Sequence, residues 1–165
     1  VVHKLLDNFG TRIGTTYRSR IAALDMTIDD VVVLASIVQG EASDGEWSRV
    51  ARVLQNRMDK PKEYPKLECD ATYAYVKNLN REVLKTEVNE NAYDTSACVG
   101  LPVGAIGNPG LNAIDAVLSP SADPAVVNCY FFATDTETGI TYYSKTYSEH
   151  VKICQKYGIG MYGNS

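Results

Sequence analysis

Several classes of partner are excluded by what this sequence lacks. It has 16 Lys and Arg against 20 Asp and Glu, a formal net charge of -4, so no basic face is available to neutralise the phosphates of a nucleic acid or an anionic membrane. No apolar run reaches the roughly 18 to 20 residues that a membrane span requires. The sequence opens on Val1 without a signal-peptide pattern, and because it has no initiator methionine we expect a fragment of a longer chain.

The common catalytic and metal-binding signatures are missing as well. The sequence contains no G-x-S-x-G, no H-E-x-x-H, no P-loop and no dinucleotide fingerprint. Its four cysteines are too widely spaced for a metal knuckle, and only His3 and His150 could add imidazole ligands, so we predict neither a metal nor a cofactor. A cysteine nucleophile paired with His150 is disfavoured, because no cysteine has a recognisable catalytic context.

The cysteines leave two redox states open. Cys69, Cys98, Cys129 and Cys154 allow two disulfides in three connectivities, or four buried thiols in a reducing compartment. Cys69 and Cys98 lie in loop-like sequence, whereas Cys129 lies in a strand-like run and Cys154 in a helix-like one. A bridge between Cys69 and Cys98 is the preferred pairing.

Residues 27–42, TIDDVVVLASIVQGEA, form a nearly uninterrupted apolar run that ends on one carboxylate. Thr27 followed by Asp30 is a variant capping box and Gly40 marks a stop, so these signals favour a helix. The valines and isoleucines leave a buried strand as the alternative. On a helix, a single stripe carries Leu34, Ile37, Val38 and Glu41.

Apolar residues at helical spacing predict further helices in residues 4–24, split by Gly10 and Gly14, and in residues 46–58, 111–118 and 146–157. Residues 126–133 and 140–143 predict an antiparallel pair of strands. The remaining predictions concern residues 67–76, which have no clear period, residues 78–91, read as a short surface helix or an insertion, and residues 100–110, read as a shaped loop.

Together these elements predict one domain, residues 1–165, of the α+β class. Helices surround a small antiparallel sheet, and a buried central helix carries Glu41.

Glu41 is the strongest candidate for chemistry. A carboxylate at a helix C-terminus faces the negative end of the helix dipole, and partial burial further disfavours its ionisation, so both effects raise its pKa. An acid that stays protonated near neutral pH can cleave a glycosidic bond as a general acid. The alternative is a glutamate that ends an amphipathic helix and points to water.

Seven segments of this chain resemble, in the same order, the MltG/YceG-like endolytic murein transglycosylases. They are LASIVQGEA (34–42), VARVLQNRM (50–58), LECDATYAYV (67–76), YDTS (93–96), GLPVGAIGNPGLNAIDAVLSPS (100–121), YFFAT (130–134) and YSKTYSEH (143–150). The likeness covers nearly the whole chain, and residues 100–121 are its most specific part. A fainter likeness to spore-cortex lytic enzymes rests on GEA and LQNR alone.

The resemblance implies a cell-wall enzyme that cuts glycan strands internally between N-acetylmuramic acid and N-acetylglucosamine. One glutamate, at Glu41 in this chain, protonates the glycosidic oxygen and then takes the proton from the muramyl 6-hydroxyl, which closes a 1,6-anhydro ring. Since water is not the nucleophile, the second carboxylate of ordinary glycosidases is not required.

Sugar contacts are predicted, also from the family motifs, for Asp70, Tyr93, Asp94, Thr95 and Asn108. Alternatively, Asp70 and Thr95 could cap turns, and Asn108 could shape the loop in which it lies. Other motif residues are assigned structural roles: Asn56 and Arg57 anchor a helix to a loop, and Lys145 and His150 lie near the last helix cap.

The chain departs from the family at several positions. Gln39 stands where the family often has a second acid, Asp94 stands for Asn, and Glu68 stands for Gln. If Asp94 is ionised close to Glu41, like-charge repulsion raises the pKa of Glu41 further. Cys69 and Cys98 also replace residues that are not usually cysteine, and a bridge between them would suit an exported enzyme.

The resemblance further implies an extracytoplasmic, wall-facing protein whose longer chain includes a membrane anchor and a small glycan-binding region. The expected partners are peptidoglycan glycan strands and the cell-wall synthesis machinery, with this fragment a monomer and no nucleic acid bound. Two other functions stay open: a hydrolytic muramidase in which Asp94 or another acid positions water, and a wall-binding module that holds glycan without cutting it.

Overall fold

The computed structural model describes residues 2–78 and 89–160. Seven α-helices and a two-stranded antiparallel sheet make up this part of the chain, so the predicted α+β class is confirmed. The helix or insertion predicted in residues 78–91 lies mostly outside the described residues, apart from a 3-10 turn at Glu90–Ala92. No helix in the described ranges combines the length and the apolarity that a bilayer crossing demands.

The helices, in chain order, are α1 (Val2–Arg12), α2 (Thr15–Ala23), α3 (Ile28–Glu41), α4 (Trp47–Met58), α5 (Asp70–Lys77), α6 (Leu111–Leu118) and α7 (Tyr147–Tyr157). Strand β1 (Phe131–Thr134) pairs with β2 (Thr141–Ser144), and Phe131 lies opposite Ser144 in the register. The break between α1 and α2 falls at Gly14, the N-cap of α2, whereas Gly10 lies inside α1 and does not interrupt it.

The central helix forms as predicted, and the alternative of a buried strand is wrong. The hydroxyl of Thr27 accepts a hydrogen bond from Asp30 N, and the Asp30 carboxylate accepts one from Thr27 N, which completes the capping box. Helix α3 packs chiefly against α6 and α4, and α5 covers its C-terminal end. Its interior residues Leu34, Ala35, Ile37 and Val38 are 0% exposed, which makes α3 the centre of the core.

Two elements differ from the sequence-based prediction. Helix α5 begins within residues 67–76, for which no element was predicted, and it places only Thr72 and Val76 in the interior. The strand predicted for residues 126–133 starts only at Phe131, because a turn around Asp123 precedes it: the Asp123 carbonyl accepts from Val126 N and Val127 N. Val126 is nevertheless buried, so the apolar run reflected burial rather than strand pairing.

The predicted bridge between Cys69 and Cys98 is wrong in this structure, where all four cysteines are free thiols. Cys69 is buried at the start of α5 with its Sγ 3.7 Å from the carbonyl oxygen of Leu67, and burial raises the pKa of its thiol. Cys98 is only partly buried, and its backbone N–H donates to the Asp94 carbonyl in a separate turn. The two loops are held together by hydrogen bonds rather than by sulfur.

Candidate active site

Glu41 lies at the last position of α3 and lines a cavity of about 750 Å³. The cavity runs from the end of α3 and the start of α5, past β1, to the ends of α7. The Glu41 side chain is partly exposed to it. The carboxylate therefore continues the buried stripe of α3, as the helical periodicity predicts, and faces a space that a ligand could fill.

Helix α5 holds the carboxylate in place. The backbone N–H of Ala71, in the first turn of α5, donates a hydrogen bond of 2.6 Å to Glu41 Oε1. The helices approach closely beside it, since a Cβ built on Gly40 would lie 2.9 Å from the Ala71 Cβ. The absence of a side chain at Gly40 thus brings the first turn of α5 within hydrogen-bonding reach of Glu41.

Burial raises the pKa of Glu41 to about 7. The hydrogen bond from Ala71 acts in the opposite direction, because it stabilises the carboxylate, and the negative charge of Asp70 raises the pKa again. The direction agrees with the sequence-based expectation. With a pKa near 7, both the acid and the carboxylate are accessible near neutral pH, which suits a group that must donate and then accept a proton.

No arginine in the described part of the chain forms an ion pair with Glu41. The nearby cation, Arg57, is committed to Glu68, with Nη2 2.5 Å from Oε2. Glu68 has a left-handed backbone, with φ of 56°, at the point where the chain turns into α5. The acid expected to donate a proton is therefore not fixed in its charged form by a counter-ion.

Asp70 and Asp94, both predicted to contact sugar, lie in different settings. Asp70 lines the cavity together with Glu41, and burial raises its own pKa. Asp94 lines neither this cavity nor the smaller one beside it, and its Oδ1 accepts hydrogen bonds from the backbone N–H and the hydroxyl of Ser96. The acid that raises the pKa of Glu41 is thus Asp70.

Thr95 is buried behind the cavity lining and holds the start of α5. It is 0% exposed, its hydroxyl accepts from Cys69 N and pairs with the hydroxyl of Thr72, and its carbonyl accepts from Glu68 N. The predicted sugar contact does not fit this burial, and Thr95 instead holds the start of α5. Tyr93 packs against Tyr75, with ring centroids 5.4 Å apart, and so braces the same helix.

A second, smaller cavity of about 420 Å³ adjoins the first. Gly40 and Ala71 line both cavities. Asn108 is one of the lining residues of the smaller cavity, so the structure does not bring it into the same cavity as Glu41. The loop that carries Asn108 is fixed to α3, because Ile106 N donates to Ser36 Oγ and Gly110 N donates to Gln39 Oε1. Gln39 is thus a loop anchor.

The anchoring roles predicted for two residues of α4 are confirmed. Asn56 Nδ2 donates to the carbonyls of Val127 and Cys129. Arg57, 5% exposed, donates to the carbonyls of Lys66 and Tyr130. These bonds join α4 to the segment before α5 and to the segment before β1, and both segments contribute residues to the lining of the cavity.

His150, by contrast with its predicted purely structural role, also lines the cavity, where its ring stacks on Phe131 at 5.5 Å. Burial lowers the pKa of His150. Lys145 is exposed, and its backbone N–H donates to the Glu149 carboxylate in the first turn of α7.

Sequence reasoning missed most of the far wall of the cavity. Tyr147 and Tyr157 come from the first and last positions of α7, and residues 134–137 come from the end of β1 and the hairpin turn that follows it. No local pattern marks these residues as one surface. The available signal was the aromatic content of residues 130–157, which is unusually high for a segment that includes a solvent-facing helix.

The comparisons with known proteins agree with this fold. The model of the YceG-like family matches residues 1–156. Endolytic murein transglycosylases of two Streptococcus pneumoniae strains, D39 and R6, are each 26% identical over 142 residues, covering 81% of this chain and 24% of theirs. The chain thus spans about a quarter of the length of the curated relatives it matches.

A solved structure extends the agreement to three dimensions. A crystal structure of a YceG-like protein from Listeria monocytogenes superposes with a TM-score of 0.74 at 27% identity, covering 92% of this chain and 48% of that one. The family model spans Glu41 at the end of α3 and reaches residue 156, one residue before the end of α7. The chain therefore belongs to the YceG-like family.

Proposed function

We propose that this chain is the catalytic region of an endolytic murein transglycosylase, which cleaves the bond between N-acetylmuramic acid and N-acetylglucosamine and leaves 1,6-anhydro ends. The observation that carries the proposal is the state of Glu41: its carboxylate lines a cavity, has a pKa of about 7 and accepts a hydrogen bond from the Ala71 backbone. The names of the curated relatives support it.

In the first half of the reaction, protonated Glu41 gives its proton to the glycosidic oxygen as the bond to C1 of the muramyl sugar breaks. The Ala71 N–H, 2.6 Å from Oε1, stabilises the carboxylate that remains. In the second half, that carboxylate takes the proton from the C6 hydroxyl of the muramyl sugar. The hydroxyl oxygen bonds to C1 at the same time and closes the 1,6-anhydro ring. The proton returns to Glu41, so the residue ends the cycle as it began and no water is consumed.

The test is digestion of purified peptidoglycan followed by mass spectrometry of the released chains. We expect 1,6-anhydro ends from the wild type and a loss of at least about 100-fold in their release from Glu41→Gln, because the amide cannot donate a proton to the leaving oxygen. The matched control is Glu63→Gln, an exposed glutamate outside the cavity, which should cut like the wild type.

A second function is favoured by one observation, the presence of Asp70 in the same cavity as Glu41. A hydrolytic muramidase needs a second carboxylate to position water, and Asp70 is better placed for this than Asp94. Products with reducing ends that have gained water, lost in Asp70→Asn, would establish hydrolysis instead. Binding of peptidoglycan by wild type and Glu41→Gln alike, with no product from either, would contradict both enzymatic proposals and indicate a wall-binding module.

A further inference from the structure

Two of the most exposed aromatic side chains of the described residues lie in the cavity of Glu41, away from Glu41 itself. Tyr147 is 62% exposed and Tyr157 is 40% exposed, and both line the cavity. Large apolar groups exposed on the wall of a concave surface commonly mark a ligand-binding site. The reaction at Glu41 does not account for them.

Both rings are held in position by neighbouring rings. Tyr157 stacks on Tyr142 with ring centroids 4.2 Å apart, and the Lys156 Nζ lies over the Tyr157 ring, 4.7 Å from its centroid. Tyr147 has Phe131 at 5.9 Å and His150 at 6.3 Å, both in tilted contact. Rings that are already ordered lose little conformational freedom when a ligand packs on them.

The positions of the two tyrosines at the ends of α7 indicate an extended ligand. Tyr147 and Tyr157 are the first and last residues of α7, and ten residues of α-helix span about 15 Å. This length exceeds one pyranose ring. The same cavity also carries polar side chains, Thr134, Thr136 and Glu137 at the end of the β-hairpin, so a ligand that contacts both sets has apolar faces and hydroxyl edges.

We propose that Tyr147 and Tyr157 form a distal glycan platform that binds sugars of a peptidoglycan strand beyond those cleaved at Glu41. The proposal rests on the proposed function, because the continuity of the cavity with Glu41 identifies the ligand as the same strand. The pyranose rings pack their C–H faces against the exposed parts of the tyrosines, and their hydroxyls meet the polar side chains at the end of the β-hairpin. The platform would favour long strands over short fragments.

The test is the affinity of the purified chain for peptidoglycan, measured by co-sedimentation with the insoluble polymer. All variants carry Glu41→Gln, so that binding is read without cutting. We expect Tyr147→Ala and Tyr157→Ala each to weaken binding about three- to tenfold, and Tyr147→Phe to bind like its parent because it keeps the ring. The control is Tyr73→Ala, another exposed tyrosine that lines neither cavity.

The platform is overturned if the alanine variants bind like their parent, if Tyr73→Ala weakens binding equally, or if Tyr147→Phe is as weak as Tyr147→Ala. Thermal unfolding midpoints equal to that of the parent show that a loss of binding is not a loss of fold. A failure of the proposed function is distinguishable, since the binding comparison stands whether or not the wild type cuts.

Two further probes separate sugar from peptide. Glycan strands stripped of their stem peptides should compete with the insoluble polymer for binding to the parent. Their affinity should fall in the alanine variants by about the same factor as the affinity for the polymer. Free stem peptides should not compete. Competition by the peptides alone would assign the tyrosines to the stem and overturn the glycan platform.

Discussion

Glu41 is balanced between two influences of opposite sign, and the balance sets which proton transfer it can perform. Burial disfavours its charge, whereas the Ala71 N–H favours it. With burial alone the residue would be a weaker acid and would give up the first proton less readily, and with the hydrogen bond alone it would be ionised before the first step. A pKa of about 7 lets one side chain serve both steps.

Asp70 adjusts this balance, and its removal should be visible in the pH profile. In Asp70→Asn the repulsion that raises the pKa of Glu41 disappears, so that pKa falls and less of the acid form is present at pH 7. We expect the alkaline limb of kcat/KM to move to lower pH, with activity at pH 7 reduced about two- to fivefold. The measurement is the rate of peptidoglycan cleavage between pH 5 and 9.

Asp94→Asn is the comparison variant for this prediction. The Asp94 carboxylate is bound to Ser96 and lines neither cavity, so its neutralisation should leave the position of the alkaline limb where it is. An equal displacement in both variants would mean that the limb follows the net charge of the protein rather than the acid next to Glu41.

At the scale of elements, the site is the contact between α3 and α5. Gly40→Ala places a Cβ 2.9 Å from that of Ala71, and this overpacking should lower the free energy of unfolding by about 1–3 kcal/mol and displace the Ala71 N–H from Glu41. Cleavage activity should fall with it. The free energy is measured by urea denaturation, alongside the rate of cleavage of peptidoglycan.

Gly10→Ala provides the matched control, because Gly10 also lies in a helix but a Cβ there meets nothing within 4 Å. Alanine has the higher helix propensity, so we expect a gain of up to about 1 kcal/mol in this variant and unchanged activity. A Gly40→Ala variant that matches Gly10→Ala in both readouts would show that α3 and α5 tolerate separation at this point.

Elements with strong local signals could be predicted from the sequence. Helix α3 has a capping box and an apolar run of sufficient length, and the helix at residues 111–118 has the same bounds in the structure. Helix α5 was missed since its eight residues bury only two side chains, too few to establish a period. The turn before β1 was missed because buried valines in a turn look like valines in a strand.

For the candidate site, the sequence identified Glu41 and Asp70 but not what surrounds them. Glu41 could be predicted because it is a charged residue on a helix stripe that is otherwise apolar. Thr95 was assigned to sugar because a hydroxyl in a motif looks the same whether it faces a ligand or caps a helix, and only its burial separates the two. The tyrosines of α7 come together with Glu41 through tertiary folding, which leaves no mark on sequence spacing.

At the scale of the whole molecule, the raised pKa of Glu41 links its protonation to global stability. The pKa is about 7 in the folded chain and near 4.5 in a model peptide, so between these values the folded state binds the extra proton. Stability from this group is complete below pH 4.5 and is lost as pH rises towards 7. We expect a loss of up to about 3 kcal/mol across that window.

Glu41→Gln should remove this dependence, since glutamine does not ionise and its side-chain oxygen can still accept from Ala71. At pH 8 the variant is expected to be more stable than the wild type, by up to about 3 kcal/mol, and at pH 4.5 the two should be close. Urea denaturation at both pH values measures the difference. A constant difference at the two values would contradict a raised pKa for Glu41.

The position of Glu41 on the innermost helix also bears on how the protein moves. Residues 34–38 of α3 are shielded almost completely from water, so their amide protons should exchange with solvent only through opening of the entire core. Hydrogen exchange in this helix should then be as slow as global unfolding permits. The Glu41 side chain would then be attached to the least mobile backbone of the molecule. Any structural adaptation to a bound polymer must come from the other residues that line the cavity.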